Sequence, residues 1–349
     1  MMSKKKSKKK LDVVAGILSV MAIVAVFISI INFTIVRKNL DTYKDIASTE
    51  NINKYQNHYV MIYEGDENEM WHDIYNEASA YAMENNSYVE LIGANLSQSY
   101  SKNELMEMAI LSGADGIIVE GDETDELKKL IRRAREEDIA VVTVLTDAPD
   151  SMRNSYIGIS SYDMGMMFGN QIRQLSNDNN NPTIDVMVLL NSKKPQSSQN
   201  AIFLSLMEEM SNSDRYNIEA TGVDNSNSFS VDEEIRDILI GLDKYPDIMV
   251  CLSDEITKSA YQGLVEYNKV QNISLLGIAS SNEVFEAVNK ELVTSVVSVD
   301  KKAMGKSCVE ALIEYRDTGY VSEYIMIETT LINKDNVGEM INDENEKSD

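Results

Sequence analysis

The chain has 349 residues with 32 basic and 57 acidic side chains, a formal charge of −25, two histidines and two cysteines. So acidic a surface repels phosphate backbones, which excludes nucleic acid as a partner. His58 and His72 offer no metal-ligand spacing, and two distant cysteines make no disulfide framework.

The basic side chains are unevenly placed. Six lysines lie within Lys4–Lys10, ahead of an uncharged run from Val13 to Val36. At about 1.5 Å per residue that run makes a helix of roughly 36 Å, enough to cross a hydrocarbon core about 30 Å thick. Cationic flanks stay cytoplasmic. Residues 1–10 are therefore expected to form a cytoplasmic tail, 11–36 a transmembrane helix, 37–56 a juxtamembrane linker, and the remainder an extracellular domain held at the cell membrane by a single pass. A cleavable signal peptide is the rival reading, but the apolar run is too long and no small-x-small site precedes Arg37 and Lys38. A lipoprotein would need a cysteine just after that run, and the cysteines are Cys251 and Cys308; both are expected as buried thiols. In the linker, Leu40, Tyr43 and Ile46 suit either a short helix or a solvated stalk.

After Asn57 the pattern becomes regular. Tyr59–Tyr63 reads as a strand, and Trp71, Ile74, Ala78 and Tyr81 mark one helical face. Strands are expected at Tyr88–Ile92, Gly116–Val119 and Ala140–Leu145, with helices at Leu105–Leu111 and Leu127–Ala134 between them. The alternation then restarts. Tyr156–Ile159 leads into a helix near Tyr162, followed by strands at Asp185–Leu190, Ile218–Val223, Ile248–Leu252, Ser274–Ile278 and Thr294–Val299. Helices fall at Asn200–Met210, Asp232–Leu242, Glu255–Glu266, Glu283–Asn289 and Lys302–Tyr315, before a closing strand at Tyr324–Thr330. Continuous apolar strands alternating with helices indicate parallel sheets covered on both faces. The count is too large for one sheet and predicts two doubly wound α/β lobes.

Several segments together resemble a known family: Asn68-Glu-Met-Trp71, Gly113-Ala-Asp-Gly-Ile-Ile-Val119, Ile139-Ala-Val-Val-Thr143, Tyr156-Ile-Gly158 leading to Gly165, Ser253-Asp254, Leu276-Gly277 and Leu331-Ile-Asn-Lys-Asp-Asn336. In order and spacing from His58 to Val337 they resemble the type I periplasmic sugar-binding proteins, the ribose- and galactose-binding group that shares its fold with the ligand domain of lactose-type repressors. The expected span stands where the repressors carry a DNA-binding headpiece. The resemblance implies a binding domain at 57–340, before an acidic tail at 341–349. It also implies a hinge of three crossings near Ser160, Ser298 and Ile327. Lobe 1 would comprise about 57–160 and 299–327, and lobe 2 about 161–298 and 328–340. Ligand would sit between the lobes, beyond the carboxyl ends of the strands.

The resemblance also implies the ligand-binding positions. Trp71 and Phe229 match aromatic rings that cover the two faces of a sugar, and Asn68 matches an amide ligand; a core position is the rival reading for Trp71 and, against the polar flanks Ser228 and Ser230, for Phe229. Glu120 and Ser253 fall where the family often has asparagine. Three positions depart from the pattern: an arginine is replaced by Gln199, an aspartate by Ala279 and a glutamine by Ser298. Charge-assisted hydrogen bonds contribute about 1.5–3 kcal/mol each, so an ordinary pentose would bind two to four decades more weakly unless Asp147, Asp254, Arg153 or Glu120 compensates.

An enzyme is not expected. No phosphate loop opens a helix after a strand, no nucleophile–base pair stands out, and Gly113, Gly116 and Gly121 read as turn punctuation. Neither a cofactor nor a metal is implied. The expected role is a membrane-anchored extracellular binding protein that closes on a sugar-like solute and reports to a membrane partner such as a sensor histidine kinase. The alternative is the capture subunit of a carbohydrate ABC importer.

Overall fold

The computed structural model describes residues 54–62, 69–93, 100–177, 181–192, 198–224, 228–270, 272–279 and 281–345. The expected cytoplasmic tail, transmembrane helix and most of the linker lie outside the described residues, as do Asn68 and positions 346–349. Among the described residues no helix is long and apolar enough to cross a membrane.

In chain order the elements are β1 (Asn57–Ile62), α1 (Glu69–Glu84), β2 (Ser87–Leu91), α2 (Lys102–Ser112), β3 (Gly116–Glu120), α3 (Asp125–Glu136), β4 (Ala140–Val144) and β5 (Ser155–Ile159). Then come α4 (Ser161–Asn177), β6 (Ile184–Asn191), α5 (Ser198–Met210), β7 (Tyr216–Val223), α6 (Ser228–Gly241), β8 (Ile248–Cys251), α7 (Asp254–Glu266) and β9 (Ser274–Ala279). The chain closes with α8 (Asn282–Asn289), β10 (Ser295–Val299), α9 (Lys301–Thr318), β11 (Tyr324–Ile327), β12 (Thr329–Asn333) and α10 (Val337–Asn345).

Local chemistry explains the pieces. β4 is buried at every residue, as a strand covered on both faces must be. In α3, Leu127, Ile131 and Ala134 form one buried stripe, Thr124 caps the first turn by accepting the Leu127 N–H, and arginines occupy the last turn. Ser101 and Glu104 form a reciprocal capping box at the start of α2.

The strands make two six-stranded sheets, ordered β11-β5-β4-β3-β1-β2 and β12-β10-β9-β8-β6-β7. In lobe 1 the pairings from β1 through β3, β4 and β5 to β11 run parallel. In lobe 2 those from β7 through β6, β8 and β9 to β10 are parallel, but β12 runs antiparallel to β10. The single expected closing strand is thus two strands in two sheets, divided at Glu328. Its direction follows from the route. The chain leaves β11 at the carboxyl end of the first sheet and enters the second sheet one residue later, at the end where the other strands finish. It can then only run backwards.

The other crossings are equally short. β5 passes to α4 through Ser160, and β10 passes to α9 through Asp300. Ile159 packs against the cores of both lobes. The carboxyl-terminal helix α10 continues to Asn345, into the stretch expected as an acidic tail, because Val337, Met340 and Ile341 join the lobe 2 core at helical spacing. Cys251 and Cys308 are free and buried, one in each lobe.

α9 lies unusually close to α1. A Cβ on Gly305 would stand 2.3 Å from the Ile74 carbonyl oxygen and 3.0 Å from the Ala78 nitrogen. Both are backbone atoms that cannot step aside. Gly305→Ala gains up to about 1 kcal/mol of helix propensity but overpacks at a cost of about 1–3 kcal/mol. Urea unfolding should therefore show a net loss, and a variant more stable than wild type would mean the helices are not this close.

Candidate functional site at the carboxyl ends of the two sheets

The three crossings all leave from strand carboxyl ends, so those ends adjoin the hinge, and the loops beyond them form the walls of the space between the lobes. The best-defined wall is the segment after β4. Leu145 takes a positive φ of 62°, and the Thr146 N–H donates to the Val144 carbonyl at 2.7 Å. That is a three-residue turn of the strained hand, which persists only where surrounding bonds hold it. They do. The Tyr156 hydroxyl donates to the Leu145 carbonyl at 2.9 Å, and the Gly121 N–H donates to the Thr146 carbonyl at 3.0 Å. Position 121 must be glycine because a Cβ would meet that carbonyl oxygen at 2.3 Å.

Asp147 and Arg153 close the same loop. The guanidinium donates to both carboxylate oxygens, at 2.5 and 2.7 Å. Thr143 Oγ1 and the Ala148 N–H also donate to Asp147, at 3.1 and 2.7 Å. The Arg153 side chain is only 4% exposed and donates to the Glu323 carbonyl at 3.2 Å. Burial works against its charge, but the hydrogen bonds and charge of Asp147 raise its pKa above the ordinary value. Burial, reinforced by the Asp147 charge, pushes the Tyr156 hydroxyl up to about 12. Asp147, a candidate ligand residue by sequence, is thus a brace.

The other candidates are placed as follows. Glu120 ends β3, is half-buried and accepts a long bond from Thr146 at 3.5 Å. Trp71, in the first turn of α1, is 2% exposed in the core of lobe 1. The ring expected against a sugar face is therefore closed off, because the apolar stripe continuing through Ile74 and Ala78 turns it inward. On lobe 2, Gln199 Oε1 accepts the Asn191 N–H at 2.7 Å, fastening the end of β6. Ser253 caps α7 through the Ile256 N–H. Asp254 accepts from the N–H and hydroxyl of Ser281, at 3.3 and 3.1 Å, tying the starts of α7 and α8 together. Ala279 is fully buried in the lobe 2 core, and its register partner Ser298 is half-buried on β10. Phe229 lies in the first turn of α6, just beyond the carboxyl end of β7, and is 73% exposed. Among the described residues no cluster of three or more His, Cys, Asp or Glu could hold a metal ion.

Sequence reasoning missed the supporting residues Leu145, Asn191 and Ser281. Leucine carries no mark of a left-handed turn, and Asn191 and Ser281 act through partners distant in the chain.

This arrangement, two similar α/β lobes joined by three short crossings at their carboxyl ends, defines a hinged solute-binding protein of type I architecture. The chain belongs to the family described as periplasmic binding protein domain, whose model matches residues 59–319. Its members are solute binders and not enzymes. Similar solved structures include a XylFII–LytSN complex (21% identity, TM-score 0.70, covering 80% of this chain and 98% of that one). GanP, a glucose-galactose binding protein from Geobacillus stearothermophilus, is 22% identical with a TM-score of 0.70 over 80% of this chain and 98% of its own. A carbohydrate transporter solute binding protein from Agrobacterium radiobacter in complex with D-arabinose is 13% identical with a TM-score of 0.72, over 82% and 98%. At these identities the likeness is one of fold. A sequence comparison with curated proteins finds no match.

Two predictions follow from the loops. Removing one partner of a buried pair leaves the other charge uncompensated, at a cost of about 3–5 kcal/mol. Arg153→Met should lose that much in urea unfolding while the exposed Phe229→Ala loses less than about 0.5 kcal/mol; equal losses would overturn the brace. The second concerns Asp122, just past β3. Burial raises its pKa, but hydrogen bonds from Lys102 and Thr124 outweigh burial and hold the carboxyl below its ordinary 3.8. A depressed folded value means the stabilisation is complete above 3.8 and is lost as pH falls below it. Asp122→Asn should therefore flatten the acid limb of a stability–pH curve, and an unchanged limb would remove Asp122 from that account.

Proposed function

We propose that the protein is a membrane-anchored extracellular receptor that closes its lobes on a neutral, sugar-like solute and reports the closure to a membrane partner. The observation that carries the ligand class is the state of the site's charges. Asp147 is neutralised by Arg153 and Asp254 is engaged by Ser281, while Phe229 stands exposed at the same end of lobe 2. Polar edges whose remaining charges, on Glu120 and Asp254, belong to carboxylates that accept hydroxyl hydrogen bonds and repel anions, beside an open ring, suit a neutral polyhydroxy ligand whose C–H faces are apolar. The glucose-galactose binder and the D-arabinose complex among similar folds support this class.

Anchoring is supported by the lysine block and the uncharged run that follows it. Reporting to a partner is supported by the XylFII–LytSN complex, in which a protein of this fold is assembled with a second protein. Capture for an importer is the second reading, favoured by the Agrobacterium protein's description as a transporter solute binding protein. In either case the work is done by closure. Moving an open–closed equilibrium from about 1:99 to 99:1 takes roughly 5.5 kcal/mol of differential affinity, which only a ligand touching both lobes supplies.

A thermal-shift screen of the full chain in detergent against neutral monosaccharides and polyols should find a ligand that raises Tm. Scattering should then show a smaller radius of gyration, the ligand should be recovered unchanged, and Phe229→Ala should weaken binding about tenfold. A ligand that binds without compaction, or returns as another compound, overturns the mechanism. Release of the protein from membranes by a high-salt wash overturns the anchor.

A further inference from the structure

The strand that completes the lobe 1 sheet is also its exposed apolar edge. Among the described residues β11 pairs on one side only, with β5. The Tyr156 N–H donates to the Glu323 carbonyl at 2.9 Å, so by strand alternation Tyr324 and Met326 turn their backbone groups to the open side. Ser322 Oγ donates to the Tyr324 carbonyl at 2.9 Å, and among the described residues no strand takes the others. The same two residues show their side chains, with Tyr324 52% and Met326 45% exposed. Tyr320, just ahead of the strand, is 71% exposed, and Met152 is 53% exposed. Met152 adjoins Arg153, whose guanidinium lies 4.8 Å from the Tyr324 ring. Edge strands commonly resist pairing through lysine, proline or a bulge. Neither lysine nor proline occurs from Tyr320 to Glu328.

We propose that a second copy of this chain covers the edge, the two β11 strands pairing antiparallel about a two-fold axis at Ile325. In this register Tyr324 faces the partner's Met326, and the two exchange both backbone N–H···O bonds. Each pair sets a thioether against an aromatic ring, a favourable contact. Glu323 and Glu328 fall opposite the partner's Ile327 and Ser322, so no carboxylate stands directly across from another. The match is self-complementary, as a two-fold interface requires.

Area and order agree. Tyr320, Tyr324, Met326 and Met152 offer roughly 500 Å² per copy, about 1,000 Å² for the pair, the lower bound for a specific interface. The Tyr324 ring is already held by Arg153 and stands edge-on to Tyr156 at 6.4 Å, so docking it freezes little further motion. Antiparallel pairing also sends the two second lobes to opposite ends, which leaves both clefts free to close.

The test uses the full chain in neutral detergent. Sedimentation velocity over a dilution series should show a dimer. Met326→Lys should raise its dissociation constant at least about 30-fold without altering the circular dichroism spectrum, since the side chain is exposed. Mild oxidation should link Ile325→Cys into a covalent dimer, because that position meets itself on the axis within disulfide reach. Leu111→Cys, exposed elsewhere on lobe 1, should stay unlinked, and the native thiols are buried. A monomer at every concentration, a dimer that survives Met326→Lys, or an Ile325→Cys variant that does not link each overturns the proposal. So does an edge that captures a different protein and never its own copy.

Discussion

The whole arrangement depends on one constraint of direction: each of the three crossings begins at the carboxyl end of a strand and is a single residue long. With Ser160, Asp300 and Glu328 as the only described residues between elements of different lobes, the two sheets must present their carboxyl ends to the hinge. Loops that follow parallel strands gather at those same ends. The antiparallel β12 is the visible trace of this rule, because a strand entering at the exit side of a sheet has no other direction available.

Given that geometry, rigidity and freedom are divided within a few residues. The segment after β4 is bound by the Asp147–Arg153 pair, the Tyr156 hydroxyl and the Gly121 N–H, so a strained turn at Leu145 is kept in place. Next to it, Ile159 touches both cores without belonging wholly to either. Apolar contacts of this kind can slide, whereas a charged pair at 2.5 Å would have to be broken. The walls are therefore stiffer than the pivot, which is what hinge closure needs.

The fold was legible because its strands are continuous apolar runs. β3, β4, β8 and β10 stand out in the sequence, and helices such as α3 show their buried stripe. The division of Tyr324–Thr330 was not legible. Its residues make an unbroken run of strand formers, and only the destination of the chain, a tertiary fact, breaks it at Glu328. The site was partly legible for a related reason. Sequence places Asp147 and Asp254 just past strand ends and Gln199 at the start of a helix, but whether a carboxylate or an amide faces ligand depends on what else reaches it. Arg153, Ser281 and Asn191 reach them first. Trp71 shows the same limit, since one helical face serves equally as lining and as core.

The discontinuous composition of lobe 1 bears on how the chain is made. Its sheet needs β11, and its cover needs α9, yet both are synthesised only after the elements from α4 to β10. As the polypeptide emerges from its amino terminus, lobe 2 gains nearly all its strands while β5 still stands as an unpaired border of an unfinished neighbour. Long-range pairing of that kind is slow, and open strand borders are where nascent chains go astray. The stretch from Lys301 to Ile327 thus carries the burden of finishing what the first part began, and damage there would unsettle the lobe made earliest.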